Sequence, residues 1–135
     1  KNGCPWDEWS FYAAASNGNL NNMKWLKDNG CPWNESTFAS CALSTCRGRN
    51  DLENMKWLRE NKCPWNETTF DIVAEEGRID IMKWLYEQGC PWGKNTVWAS
   101  FLSGNIENAA WLYEHGCPTE KCQQKFLKEE YYANL

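Results

Sequence analysis

The residues best suited to chemistry in this chain are its cysteines. There are eight in 135 residues, and five of them, Cys4, Cys31, Cys63, Cys90 and Cys117, stand immediately before proline. Tryptophan completes the first four triplets, at Trp6, Trp33, Trp65 and Trp92, and Thr119 completes the fifth. Thiolates ligate zinc and exchange with disulfides. Three readings are therefore open: a repeated metal or redox site, a set of half-cystines, or the punctuation of a repeating fold. Two further pairs, Cys41 with Cys46 and Cys117 with Cys122, have a spacing that superficially resembles ligand pairs.

The spacing of the triplets argues for punctuation. Successive Cys-Pro pairs are separated by 31−4=27, 63−31=32, 90−63=27 and 117−90=27 residues. A second marker keeps the same step: Met23-Lys24-Trp25-Leu26, Met55-Lys56-Trp57-Leu58, Met82-Lys83-Trp84-Leu85 and Ala109-Ala110-Trp111-Leu112. A five-residue insertion thus lies between Cys31 and Met55 (55−23=32 against 82−55=27). Periods of this size mark a solenoid, in which each unit buries its apolar face only against its neighbours.

Equivalent cysteines of adjacent units would stand about 8–10 Å apart if the pitch follows helix packing. Disulfide Cα atoms usually lie within about 7 Å. The Cys41/Cys46 and Cys117/Cys122 pairs fall about three units apart, too far to share one zinc, and His115 is the only histidine. The five Cys-Pro cysteines are therefore predicted to be small buried packing residues. A local Cys41–Cys46 bond is the residual alternative, and free thiols favour a reducing compartment.

The elements that would position these residues are helices in pairs. After the first three Cys-Pro-Trp triplets come an Asp or Asn, a Glu and, in the same turn, a Ser or Thr, as in Asn34-Glu35 and Asn66-Glu67. Their short oxygens accept orphan backbone N–H groups, and acids suit the first turn. In the third unit Phe70, Val73 and Ala74 follow at helical spacing, and Gly77 ends that helix. A second helix is predicted from about Ile79 to Gln88, closed by Gly89 and prevented from continuing by Pro91. No segment shows the strict alternation of a half-buried strand, so the fold class is all-α.

"SFYAAASNGNLNNMKWLKDNGC", residues 10–31, resembles the ankyrin repeat. Ala14-Ala15 match the family's paired alanines, Asn17-Gly18 its inter-helix turn, and Leu20, Met23 and Leu26 its second-helix core. Gly30-Cys31 take the place of the closing Gly-Ala. The resemblance implies an ankyrin-like solenoid of stacked helix-turn-helix units with shortened or absent β-hairpins, because 27 residues leave no room for the hairpin of a unit of about 33. The expected organisation is one repeat domain over 1–135. Its repeats are 4–30, 31–62 (with the insertion), 63–89 and 90–116, followed by a capping repeat at 117–135. The connector is also similar to that of short Trp-rich ankyrin-like arrays of large DNA viruses and of algal, amoebal and plant-pathogenic protists. That narrower likeness implies a virulence effector or substrate adaptor acting on a host protein.

Function is expected where the units differ. Two tryptophan columns repeat: Trp6, Trp33, Trp65 and Trp92, and Trp25, Trp57, Trp84 and Trp111. They take eight of the ten tryptophans and serve the stack. Trp9 and Trp98 break the pattern. The varying face of the first helices reads Trp9, Tyr12, Ser16; then Ser36, Ala39, Leu43; then Thr68, Asp71, Glu75; then Asn95, Trp98, Leu102. Each set is spaced as one helical stripe. In ankyrin-like stacks the first helices line the concave side, so the column would present aromatic anchors near both ends and acid in the middle. Trp9, Tyr12, Asp71, Glu75, Trp98 and Leu102 are the candidate partner-binding residues, joined by Arg47 and Arg49 of the insertion.

These features predict a protein-binding module rather than an enzyme, since no phosphate loop, nucleophile–base pair or metal motif is present. No cofactor is expected. The alternative is an architectural spacer that positions a missing F-box or catalytic module. A net charge of −4 lacks the basic footprint of a nucleic-acid binder, and no apolar run approaches the roughly 20 residues of a membrane span. The expected partner is thus another protein, bound by a monomer inside the cell, in cytoplasm or nucleus, including those of a host. The opening Lys1-Asn2-Gly3-Cys4 reads like the tail of a helix and predicts an excerpt from a longer or processed protein. The charged last helix, expected from about Thr119 to Tyr132, reads as a genuine cap with Phe126 and Leu127 as its apolar contact.

Overall fold

A computed structural model of the chain describes residues 7–42 and 51–135. The described residues are helical throughout, with no strand among them. The all-α expectation holds. The helices are α1 (Glu8–Ser16), α2 (Leu20–Asp28), α3 (Glu35–Ser40), α4 (Asp51–Glu60), α5 (Glu67–Glu76), α6 (Ile79–Glu87), α7 (Lys94–Leu102), α8 (Ile106–Glu114) and α9 (Lys121–Glu130). A 3-10 turn, Tyr132–Asn134, follows the last. The chain divides into two compact units, Lys1–Trp65 and Asn66–Leu135.

In the first unit α1 packs on both α2 and α3. Phe11, Met23, Phe38, Met55 and Leu58 are fully buried there. In the second unit α5 packs on α6 and α7, α7 on α8, and α8 on α9. Its core holds Phe70, Val73, Ile81, Met82, Leu85, Val97, Leu112 and Leu127. The three-residue steps read from the sequence are the buried stripes: Met23 and Leu26 in α2, Met82 and Leu85 in α6.

The first helices start as their sequence dictates. The side chains of Asp7 and Asn34 each accept two backbone N–H groups of the following turn, and that of Asn66 accepts one, which satisfies donors the helix itself cannot. The hydroxyls of Ser10 and Thr37 accept the cap residue's own N–H in return. Gly93 has no side chain to offer, yet Thr96 Oγ1 still accepts its N–H at 3.1 Å. At the other end, Gly77 closes α5 with φ +75, a conformation that a Cβ disfavours. Gly30, Gly89 and Gly116 take the same left-handed conformation one residue before their cysteines, but the residue before Cys63 is Lys62, at φ 67.

Candidate interaction surface

The Cys-Pro-Trp joint has one geometry wherever it is described. Cys31, Cys63, Cys90 and Cys117 are buried. Each thiol points at the backbone carbonyl of the preceding repeat's first-helix cap. Cys31 Sγ lies 3.2 Å from the carbonyl oxygen of Asp7, Cys63 3.7 Å from that of Asn34, Cys90 3.8 Å from that of Asn66, and Cys117 3.7 Å from that of Gly93. An S–H donor is weak, and each of these carbonyls already accepts a backbone N–H of its own helix's first turn, so the thiol adds a second, minor contact. Burial, and next the Glu35 carboxylate, push the Cys63 thiol up to about 12; burial and Asp71 do the same for Cys117. These thiols stay protonated at neutral pH and are unsuited to nucleophilic or redox work. Cys122 alone of the described cysteines is exposed. Cys4 and Cys46, and with Cys46 the alternative Cys41–Cys46 bond, lie outside the described residues.

The tryptophan of the joint lies over the preceding first helix. Trp33 meets Phe11, Trp65 meets Phe38 and Trp92 meets Phe70, with ring centroids 5.0, 5.0 and 5.1 Å apart. The outer face of each ring is covered by the residue four before the cysteine. Lys27 Nζ sits 4.5 Å from the Trp33 centroid, the Arg59 guanidinium 4.1 Å from that of Trp65, and Tyr86 5.3 Å from that of Trp92. In the second column Trp57 abuts Trp33 edge-on, and Trp111 stacks on His115. The repeated tryptophans are thus seam covers rather than deep core, and Trp25 is 51 % exposed.

The residues that break the repeat stand apart from these seams. Trp9, on α1, is 72 % exposed and meets Tyr12 edge-on at 5.5 Å. Glu8, Trp9, Tyr12, Asn34 and Ser36 line a notch of about 140 Å³. Ala39, on the same predicted stripe as Ser36, is buried in the packing. In the second unit Leu102 is 76 % exposed and Trp98 is 42 % exposed, with its ring edge-on to Phe101 at 5.7 Å. Glu75 is exposed on α5. Asp71 has a different situation: it is half-buried and accepts the Thr96 hydroxyl at 2.5 Å, bonding α5 to α7. Burial raises its carboxyl above the ordinary aspartate value, against the lowering effect of that hydrogen bond. Arg47 and Arg49 lie outside the described residues.

One cavity was not anticipated. A cavity of about 420 Å³ in the second unit is lined by Trp98, Phe101, Gly104, Ile106, Cys122, Gln123 and Phe126. Phe101 and Phe126 meet edge-on at its wall, centroids 5.2 Å apart. The sequence did carry a signal for it. The column that holds Phe101 reads Ala15, Ala42 and Ala74 in the earlier repeats, so Phe101 departs from the pattern as sharply as Trp98 does. Among the described residues no three His, Cys, Asp or Glu side chains converge as a metal ion requires, and no helix is long and apolar enough to cross a membrane.

Against known proteins, no family model matches the chain and no curated protein matches it.

Proposed function

We propose that the chain is an ankyrin-like array of helix pairs whose work is to bind another protein through the outward faces of its first helices, without a cofactor. The observation that carries this reading is the exposure of Trp9, beside Tyr12, in a chain that covers its joint tryptophans with Phe, Lys, Arg or Tyr. Trp98, Leu102 and the neighbouring cavity give the second unit a surface of the same kind. Large exposed aromatic groups are the usual energetic centres of protein interfaces. The ankyrin-like reading draws support from the paired helices, the left-handed glycine turns and the absence of strand among the described residues.

Glu75 and the notch beside Glu8 favour a partner with neutral or basic groups facing these helices. Asp71 serves this surface indirectly, by holding α7 to α5. The test is a pull-down with wild type and with the Trp9→Ala/Tyr12→Ala/Trp98→Ala variant, alongside thermal unfolding of both. Loss of captured proteins at unchanged unfolding temperature supports the assignment. An identical set of captured proteins overturns it.

A further inference from the structure

One column of the first helices stays open to solvent in every repeat that has it, and in the first repeat it carries a tryptophan. Trp9, Ser36, Thr68 and Asn95 are equivalent, each five residues after its cysteine (9−4=5, 36−31=5, 68−63=5, 95−90=5). All four are exposed. Asn95 belongs to a repeat with packed neighbours on both sides, α5 against α7 and α9 against α8, so stacked repeats leave this column uncovered. The exposure of Trp9 is thus a property of its position in the repeat.

Beside Trp9, the notch of about 140 Å³ brings two aromatic rings together with an acid. Glu8, Trp9 and Tyr12 line it from α1, and Asn34 and Ser36 from the start of α3. The two ring planes stand 64° apart, with centroids 5.5 Å apart, so they meet the notch as a corner rather than a slot. Among the described residues no Lys or Arg lies over either ring, and Glu8 makes no ion pair. Neither α1 nor α3 contains a Lys or Arg. Asp7, Glu8 and Glu35 place three carboxylates at the two helix starts, which outweigh the roughly half positive charge of each terminus. The matching junction of the second unit is filled by the chain itself. Glu67 lies where a Cβ on Gly93 would collide with it, and Asp71, in the place of Tyr12, accepts the Thr96 hydroxyl.

We propose that this notch receives the ammonium group of one lysine side chain of the partner protein. The proposal rests on the protein-binding reading and names the group that the first unit's surface takes. The faces of Trp9 and Tyr12 attract a cation, and the Glu8 carboxylate accepts its N–H groups. The chain makes the same kind of contact within itself, where Lys27 Nζ lies 4.5 Å from the Trp33 centroid. A guanidinium is planar and lies best on one flat face, whereas a compact ammonium fits a corner. A trimethylated ammonium keeps the charge but has no N–H left for Glu8.

The probe is Nα-acetyl-lysine N-methylamide, titrated into the full ¹⁵N-labelled chain. It is expected to shift the Trp9 indole and Ser36 amide resonances saturably. The ε-acetylated form, which carries no charge, is expected not to saturate, and the arginine and ε-trimethyl forms to bind more weakly. Trp9→Ala, at an exposed position, should abolish the saturable shift at Ser36. Glu8→Gln is expected to weaken binding about threefold, the scale of an exposed charge pair. Glu107→Gln removes the same charge from an exposed position on α8 and leaves binding unchanged. Absence of saturable shifts at Trp9 and Ser36, or an equal response to the ε-acetylated form, overturns the proposal. Tighter binding of the ε-trimethyl form overturns it too, since Glu8 would then have no N–H to accept. The broader reading is decided separately by pull-down. Capture that depends on Trp9 and Tyr12 but not on Glu8 leaves protein binding standing while the lysine site falls.

Discussion

Two seams in the second unit differ at a pair of facing positions. Between the third and fourth repeats, Trp92 lies on the buried ring of Phe70 and is capped by Tyr86. Between the fourth and fifth, the same two positions hold Val97 and Thr119. Tryptophan and phenylalanine vanish together, which is what a pair that exists for mutual contact should do. Where the pair is present, α7 packs closely on α5. Where it is absent, α9 packs on α8 and the final turn, and a cavity opens beside α7. The aromatic pair thus accompanies the closely packed seam, and the seam that lacks it borders the cavity.

That comparison can be broken most forcefully at Phe70. Phe70→Ala is expected to cost about 3–5 kcal/mol in urea unfolding, the range for a fully buried ring. Val97→Ala, at the equivalent place in the open seam, should cost markedly less. Equal losses would show that both seams are sealed by the same force and that the comparison is mistaken.

The thiol of the joint is the next lever. Cys63→Ala removes one fully buried heavy atom and should cost about 1 kcal/mol. Its pH dependence has a definite sign. The folded thiol ionises near 12 and the unfolded one near 9.0, so the unfolded state loses its proton first. Stability is whole below about 9.0 and falls as pH rises towards 12; Cys63→Ala should flatten that fall. Thiol labelling at neutral pH should modify exposed Cys122 rapidly and leave Cys63 and Cys117 intact. Fast labelling of Cys63 in the folded chain would refute the buried-joint account.

Lys62 sharpens the comparison in the opposite direction. It occupies a left-handed conformation that glycine fills at every other described joint. Lys62→Gly should raise stability by up to about 1 kcal/mol, because the Cβ penalty disappears while unfolded-chain freedom grows. A destabilised variant would mean that Lys62 contributes contacts worth more than its strain. The smallest effect is expected at Asp71. Its carboxyl is raised above 3.8, so the unfolded state releases its proton first, and stability declines as pH rises from about 3.8 through the folded value. Asp71→Asn keeps an acceptor for Thr96 and should remove that decline; a steeper decline in the variant would contradict the cause assigned here.

Much of the architecture was legible because repetition supplied its own comparison. The 27-residue step, the Asp and Asn caps and the left-handed glycines could be read without coordinates. The burial of Cys31, Cys63, Cys90 and Cys117 followed from the same logic. What escaped was contact between residues far apart in sequence. Nothing in a one-dimensional pattern says that Cys31 reaches the carbonyl of Asp7, or that Lys27 and Arg59 lie over tryptophans. Asp71 shows the same limit: placed on a surface stripe by its spacing, it is held between helices by Thr96. The cavity beside Trp98 was within reach, since Phe101 breaks a column of alanines, but its volume depends on how α9 is set against α7 and α8.

The account holds that repeated tryptophans serve the stack and that the two irregular ones serve a partner. Equilibrium urea unfolding of Trp92→Ala and Trp9→Ala, side by side with the wild type, tests this most directly. Trp92→Ala should lose about 3 kcal/mol, the lower end for a large aromatic group taken from packed surroundings. Trp9→Ala should stay within about 1 kcal/mol of wild type, since only its edge contact with Tyr12 is lost. If Trp9→Ala instead unfolds as readily as Trp92→Ala, Trp9 belongs to the scaffold and the division between stack and surface is wrong.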